Sequence, residues 1–325
     1  KSLGPDRKKI ENTLLFFGTA YHYVIMGYPP FLKSLVDSAA IDWKSYDVIF
    51  IYGGEGISEA MRDYLLAKGI RKVYGSLGAS DLELNISAEN DFTVALRKEL
   101  STNSLLASKL LRHAGTLPMI FQYNPMDFYI ETTSDGELLM TLCRPQYISP
   151  KIRYNIHDRG NVVRMPELLR ILTECGIRIE SLGKPSSDLP LLFHYGRSDM
   201  AVAYFGCKIS PADIQEVIFR LPELAAAINS FTLLTYEDSD VNKRLTICLE
   251  LTLGKEPHEF GMEEIGVKLF SELKNVNQDF RESSRMIPVG KEPLIELHRY
   301  ESGPFVNTDI RIKSKYITIQ EGSST

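Results

Sequence analysis

The segment Asp47-Val48-Ile49-Phe50-Ile51-Tyr52-Gly53-Gly54 constrains the fold more than any other. A short apolar run that halts at paired glycines reads as a buried strand running into a tight loop. Residues 58–68 then place Met61, Leu65 and Leu66 on one helical face, with Gly69 as the stop. Lys72-Val73-Tyr74 resumes a strand and runs into Gly75-Ser76-Leu77-Gly78-Ala79-Ser80-Asp81. Strand, helix and strand, with Gly-rich loops after both strands, predict a βαβ unit. In an open α/β sheet such loops lie at the carboxyl ends of the strands, where ligands bind.

The texture then changes. Residues 91–113 read as a helical stretch, whereas 119–123, 127–131 and 137–143 are short strand-like segments separated by turns such as Ser134-Asp135-Gly136. Residues 166–173 read as a helix closed by Cys175-Gly176. From about Leu191 a third regime begins. Phe193-His194-Tyr195 is a strand before Gly196-Arg197-Ser198-Asp199. Ser210-Pro211-Ala212-Asp213 starts a helix, with Ser as N-cap, Pro in the first turn and an acid near the positive end. Strands over 230–236 and 244–253, a helix over 263–273 and a strand over 294–298 complete a small α+β domain, and residues 320–325 read as a frayed end.

At 325 residues, two domains are expected. With 44% hydrophobic and 24% charged residues, the composition excludes a disordered chain, a collagen-like repeat or a disulfide-stapled miniprotein. No run approaches ~18 apolar residues, so no membrane-spanning helix and no membrane partner is expected. The start Lys1-Ser2-Leu3-Gly4-Pro5-Asp6 is no signal peptide and lacks an initiator Met, so the chain is expected to begin inside a longer protein. A net charge of -5 argues against nucleic-acid binding, which needs concentrated Lys and Arg. Cys143, Cys175, Cys207 and Cys248 have no C-x-x-C spacing and no histidine pairs with them in sequence. Neither a structural zinc site nor a disulfide framework is expected, and a reducing cytoplasm is.

Four loops are candidates for chemistry. Tyr52-Gly53-Gly54-Glu55-Gly56 is either a strand-to-helix turn or a place where backbone approaches a ligand closely. In Leu77-Gly78-Ala79-Ser80-Asp81 the Ser hydroxyl can donate to phosphate and the Asp can hold Mg²⁺ through water, or the pair caps a helix. In Ile152-Arg153-Tyr154-Asn155-Ile156-His157-Asp158 an Asp after a strand can accept from two ribose hydroxyls, with His157 as a wall residue. Tyr195-Gly196-Arg197-Ser198-Asp199, followed by Gly206-Cys207-Lys208-Ile209-Ser210-Pro211, reads as an interdomain joint.

Taken in order, Gly-Gly-Glu, Gly-Ala-Ser-Asp, Ile-Arg-Tyr-x-x-x-Asp and Gly-Arg-Ser-Asp resemble the adenylate-forming superfamily of acyl-CoA synthetases and adenylation domains, and most nearly its phenylacetate-CoA ligase branch. The resemblance runs from about Tyr28 to Lys315. It implies that Gly53, Gly54 and Glu55 line the adenine pocket. Gly78, Ala79 and Ser80 meet the phosphate, with Asp81 in the metal-ligand place. Asp158 holds the ribose, Arg197 contacts the ribose-phosphate region, and Asp199 is the hinge. Leu77 replaces the family's aromatic near adenine, with Tyr74 as an alternative, and Asp81 replaces Glu. Gly136-Glu137-Leu138 resembles a structural strand of the family. Lys313 aligns best with the family's adenylating lysine and Lys315 is the fallback, although the preceding Gly is missing. A solvated charge on a terminal strand is the other reading of that lysine. An ammonium there offsets charge that builds as the carboxylate attacks phosphorus.

The implied architecture is α/β. Residues 1–196 form part of a large domain, a βαβ sheet plus a small β-rich subdomain, 197–199 a hinge, and 200–325 a small α+β lid. No Ser/Thr/Gly-rich phosphate loop precedes Tyr52. Phe17-Gly18-Thr19-Ala20 is too short, and Gly27-Tyr28-Pro29-Pro30 resembles a segment the family places after that loop, so an N-terminal portion is expected outside this chain. The implied activity is ATP-dependent, AMP-forming ligation of a small carboxylic acid to CoA, with ATP and Mg²⁺. Alternatives are transfer to a carrier protein or amine, and a non-catalytic nucleotide-binding relative. The aromatic cluster Phe16, Phe17, Tyr21, Tyr23 and Tyr28 reads as core packing or as an apolar pocket wall.

Overall fold

The computed structural model describes residues 3–112, 117–144, 148–183, 185, 187–197, 201–205, 207–237, 243–285, 287–288, 290–306 and 316–319. Helix α1 (Arg7–Phe17) leads into strand β1 (His22–Gly27), helix α2 (Pro29–Val36) and strand β2 (Asp47–Gly53). Helix α3 (Glu59–Ala67), strands β3 (Lys72–Ala79) and β4 (Glu83–Ala88), and helices α4 (Asp91–Thr102) and α5 (Ser104–Leu110) follow. Then come β5 (Met119–Tyr123), β6 (Phe128–Thr132), β7 (Glu137–Leu142), β8 (Tyr154–Val163), α6 (Met165–Glu174) and β9 (Leu191–Arg197).

These nine strands form one sheet in the order β1-β2-β3-β4-β5-β9-β8-β7-β6. The first three are parallel, with α2 and α3 as crossovers, which is the expected βαβ arrangement extended by one strand. Every other pairing is antiparallel. The β-rich part is hydrogen-bonded into the same sheet through β4–β5 and β5–β9, so βαβ sheet and β-rich region share one surface. Strand β3 runs through Ala79 and turns straight back into β4, where the sequence reads a loop from Gly75.

Helix α3 starts where Ser58 accepts from the Met61 N–H, and it buries Met61 and Leu65. A charged core lies beneath it. Arg62, Glu59, Glu89 and Arg97 are all buried. The Arg62 guanidinium donates to Glu89 at 2.9 Å, to Glu59 at 3.1 Å and to the Val73 carbonyl, and Arg97 pairs with Glu59. Glu89 also accepts from Tyr52 Oη at 2.8 Å and from the Gly75 N–H at 2.6 Å. Four charges with their hydrogen bonds satisfied thus lock α3 against β2, β3 and α4. Burial pushes the Tyr52 phenol well up. Burial opposes ionisation of Glu59 as well, but Arg97 and Arg62 outweigh it and hold that carboxyl below its usual value.

The remaining elements build a second core. They are β10 (Val202–Tyr204), β11 (Cys207–Ile209), α7 (Pro211–Arg220), α8 (Pro222–Ala227), β12 (Ile228–Glu237), β13 (Lys243–Leu251), α9 (Met262–Val276), α10 (Gln278–Ser283), β14 (Leu294–His298) and β15 (Ile317–Ile319). The four-stranded sheet has the order β14-β13-β12-β15. Leu245, Ile247, Leu249 and Leu251 on β13 face the helices through Ile265, Leu269 and Leu273. We call this part the small lobe. Ser210 caps α7 in a reciprocal capping box with Asp213, as the sequence reads it.

The aromatic cluster near the start is not core packing at most of its positions. Phe16, Phe17 and Tyr21 are exposed and stack edge-on in a row along the sheet edge formed by β1. Tyr23 joins this row and packs against the core from a partly buried position.

Candidate functional site

Strands β1, β2 and β3 are parallel, so their carboxyl ends share one edge of the sheet. Gly27 pairs with Tyr52, and Gly53 with Ser76. Gly54 has φ +79°, and a Cβ there would stand 3.1 Å from Tyr28 Cδ1, so the Tyr28 ring lies over the glycine loop. An added Cβ at Gly53 would stand 3.2 Å from the Ser76 carbonyl. The positive φ favours glycine at 54, and the tight approach to the Ser76 carbonyl favours it at 53. Tyr74, the alternative aromatic, commits its hydroxyl to Asp91 at the start of α4. Tyr28 is the ring that meets the loop, and its Gly27-Tyr28-Pro29-Pro30 context was the available signal.

Glu55 accepts a hydrogen bond from the Tyr316 hydroxyl at 2.7 Å. Tyr316 stacks on Phe231 at 4.8 Å, and its carbonyl accepts from the Leu233 N–H at 2.8 Å, so it is anchored to β12. The C-terminal segment thus reaches the Gly53-Gly54-Glu55 loop. The candidate lysines Lys313 and Lys315 and the candidate hinge residue Asp199 lie outside the described residues.

Gly78 and Ala79 belong to β3, and Ser80 and Asp81 form the exposed turn to β4, closed by the Leu82 N–H donating to the Ala79 carbonyl at 2.9 Å. The alternative of a Ser/Asp helix cap is overturned, because the chain enters a hairpin here. A Cβ on Gly78 would lie 2.6 Å from the Leu84 carbonyl carbon, which explains the glycine by strand approach. Asp81 accepts from the Tyr154 hydroxyl at 2.7 Å, which ties the turn to the start of β8. Its other carboxylate oxygen is outside that bond.

Asp158 sits within β8 rather than after a strand, next to a bulge between Arg159 and Gly160. Its cross-strand partner is Arg197, so the two residues assigned to ribose and phosphate are neighbours. His194 Nε2 lies 2.8 Å from Asp158 Oδ2, and Phe121 packs edge-on against the His194 ring. His194 therefore fixes the Asp158 carboxylate, a role absent from the sequence reading because 36 residues separate them. His157 has φ +60° and is exposed beside Glu137, consistent with a peripheral position.

The two lobes meet at the first turn of α3. Gln215 accepts from the Ser58 N–H at 2.7 Å, and Glu216 from the Ala60 N–H at 3.3 Å. Phe219 packs edge-on against Tyr64 at 5.5 Å. A small cavity of about 30 Å³ lies in the seam near Lys33, Met61, Gln215 and Tyr316.

The fold is that of the adenylate-forming ligases. The chain is similar to 2-hydroxyisobutyryl-CoA ligase in the postadenylation state with R3-HIB-AMP, at TM-score 0.64 and 13% identity, covering 97% of this chain and 57% of that one. The same ligase with 2-HIB-AMP gives TM-score 0.63 at 14% identity, again over 97% and 57%. An anthranilate CoA ligase with anthranoyl-AMP gives 0.51 at 10% identity, over 96% and 51%. The chain thus spans little more than half the length of these structures. No protein-family model matches the sequence, and comparison with curated proteins finds no match. Among the described residues no helix is long and apolar enough to cross a membrane.

Proposed function

We propose that this chain is the nucleotide-closing part of an AMP-forming carboxylic acid ligase of the phenylacetate-CoA ligase type. The observation that carries the reading is the Tyr316–Glu55 hydrogen bond, which joins the C-terminal segment to the glycine loop. Lys313 precedes Tyr316 by three residues in the sequence and is the lysine given to the adenylation step. The adjacent Asp158 and Arg197 supply an acceptor for ribose hydroxyls and a cation for phosphate.

In this reading ATP, a carboxylic acid and CoA are substrates. A carboxylate oxygen attacks the α-phosphorus, the bond to the bridging oxygen breaks, and pyrophosphate leaves. The Lys313 ammonium offsets the charge on the α-phosphoryl oxygens. The CoA sulfur then attacks the acyl carbon and AMP leaves. Residues 1–196 and 200–325 act as large domain and lid, with rotation about Asp199 separating the two steps. Asp81 would hold Mg²⁺, which neutralises phosphate charge when bound. His194 keeps Asp158 oriented, and Tyr28 covers the glycine loop on the side given to adenine.

The test is calorimetric titration with AMP of the chain and of Asp158→Asn. Loss of about 1.5–3 kcal/mol, roughly ten- to 150-fold in affinity, supports the assignment. Equal affinity overturns it. Pyrophosphate exchange across a panel of carboxylic acids then separates a ligase from a relative that binds nucleotide without turnover.

A further inference from the structure

We propose that Cys248, Glu296 and His298 form a Zn²⁺-binding site on the polar face of the small-lobe sheet. The sequence predicts no such site, because Cys248 is about fifty residues from the others and no ligand motif connects them. Parallel pairing of β13 with β14 removes that separation. Cys248 lies directly opposite Glu296, and His298, two residues further on, shares the face with Glu296. This face is opposite to the one that carries Ile247 and Leu249 into the helical core.

The three ligand atoms lie within 4.8 Å of one another. Cys248 Sγ is 3.8 Å from Glu296 Oε2, and His298 Nε2 is 3.2 Å from the same oxygen. Bond lengths of about 2.3 Å to sulfur and about 2.0–2.1 Å to nitrogen and oxygen require tetrahedral edges of roughly 3.6 Å for S···O and roughly 3.4 Å for N···O. The two measured edges are already close to these values.

A second observation points to a ligand. His298 Nε2 is buried and has no hydrogen-bond partner, although Glu296 is near it, so the pair is close without being aligned for a hydrogen bond. The other side of the ring is occupied by Gly303 and the edge of Phe305. Neighbouring Glu250 cannot complete the set, because its two oxygens accept from Asn229 and from the Glu301 N–H. The exposed side at Glu296 leaves the fourth position to water. A thiolate, an imidazole and one carboxylate select Zn²⁺ over Mg²⁺ or Ca²⁺, which prefer all-oxygen shells. Bound there, the ion pins edge strand β14 to β13 and holds the turn at 299–306 that precedes the C-terminal segment.

The experiment uses Co²⁺ as the spectroscopic probe on chelator-treated protein. The expected result is one equivalent bound, with tetrahedral d–d bands and a thiolate-to-cobalt charge-transfer band. That band is lost in Cys248→Ser and retained in Cys143→Ser, whose cysteine is exposed elsewhere. Glu296→Gln, at a half-exposed position, keeps the fold independent of the test and is expected to weaken Co²⁺ binding by at least about tenfold. Zn²⁺ is expected to raise the Tm of the parent chain and not of Glu296→Gln. Absence of the thiolate band, or its persistence in Cys248→Ser, overturns the assignment, as does equal binding by Glu296→Gln.

Discussion

Replacing Tyr316 by Phe removes one hydroxyl and leaves the rest of its anchorage in place. The ring still stacks on Phe231, and the backbone still receives the Leu233 N–H. What is lost is a 2.7 Å hydrogen bond to the Glu55 carboxylate, made by a side chain that is only 7% exposed. A hydrogen bond to a charged group in such a setting contributes about 1.5–3 kcal/mol. The population in which the C-terminal segment leaves the glycine loop should rise by about ten- to 150-fold. Native-state hydrogen exchange reads this directly. The amides of β15 and of Leu233 should exchange faster by that factor, while those of Ile247 and Leu249 in the small-lobe core keep their rates. Unchanged exchange at β15 would refute the claim that this contact holds the segment. Equal acceleration of the core amides would show that Tyr316 stabilises the whole lobe instead.

Arg62→Met should cost about 3–5 kcal/mol in urea unfolding, because it leaves the fully buried Glu89 without its cation. Gly78→Ala should destabilise by about 1–3 kcal/mol, since the new methyl meets the Leu84 backbone rather than a flexible side chain. Thermal melts of the purified variant check this, and a wild-type Tm would refute the close strand approach. Glu59 is held below its usual pKa against the effect of burial by Arg97 and Arg62. Its folded state therefore binds fewer protons than the unfolded chain, so its contribution is present above the ordinary carboxylate range. It is lost as the pH falls below about 4.5 through the folded pKa. Urea midpoints measured from pH 6 to pH 3 should fall more steeply for the parent chain than for Glu59→Gln.

Local signals carried much of the fold. The Asp47–Gly53 strand, the Ser210 cap and the strand-helix-strand order of the small lobe are set by periodicity and capping chemistry within a few residues. Strand β1 was not legible because its outward positions carry Val24 and Met26, so the usual alternation with polar residues is absent. Strand β3 was cut short because Gly75 and Gly78 look like loop residues. They are glycines because Tyr52 and the Leu84 backbone crowd them inside the sheet. The candidate loops could be read as motifs, and their contacts could not. The pairing of Asp158 with Arg197 depends on strand register, and the approach of Tyr316 to Glu55 spans 261 residues. Tertiary pairing of that kind leaves no mark in local sequence.

The first turn of α3 borrows two acceptors, Gln215 and Glu216, from the other lobe. A rigid swing of the small lobe would leave the Ser58 and Ala60 amides to find water in their place. Separation of the lobes would thus be read at these two amides, whose deuterium uptake would quicken while the Met61 amide stays capped by Ser58.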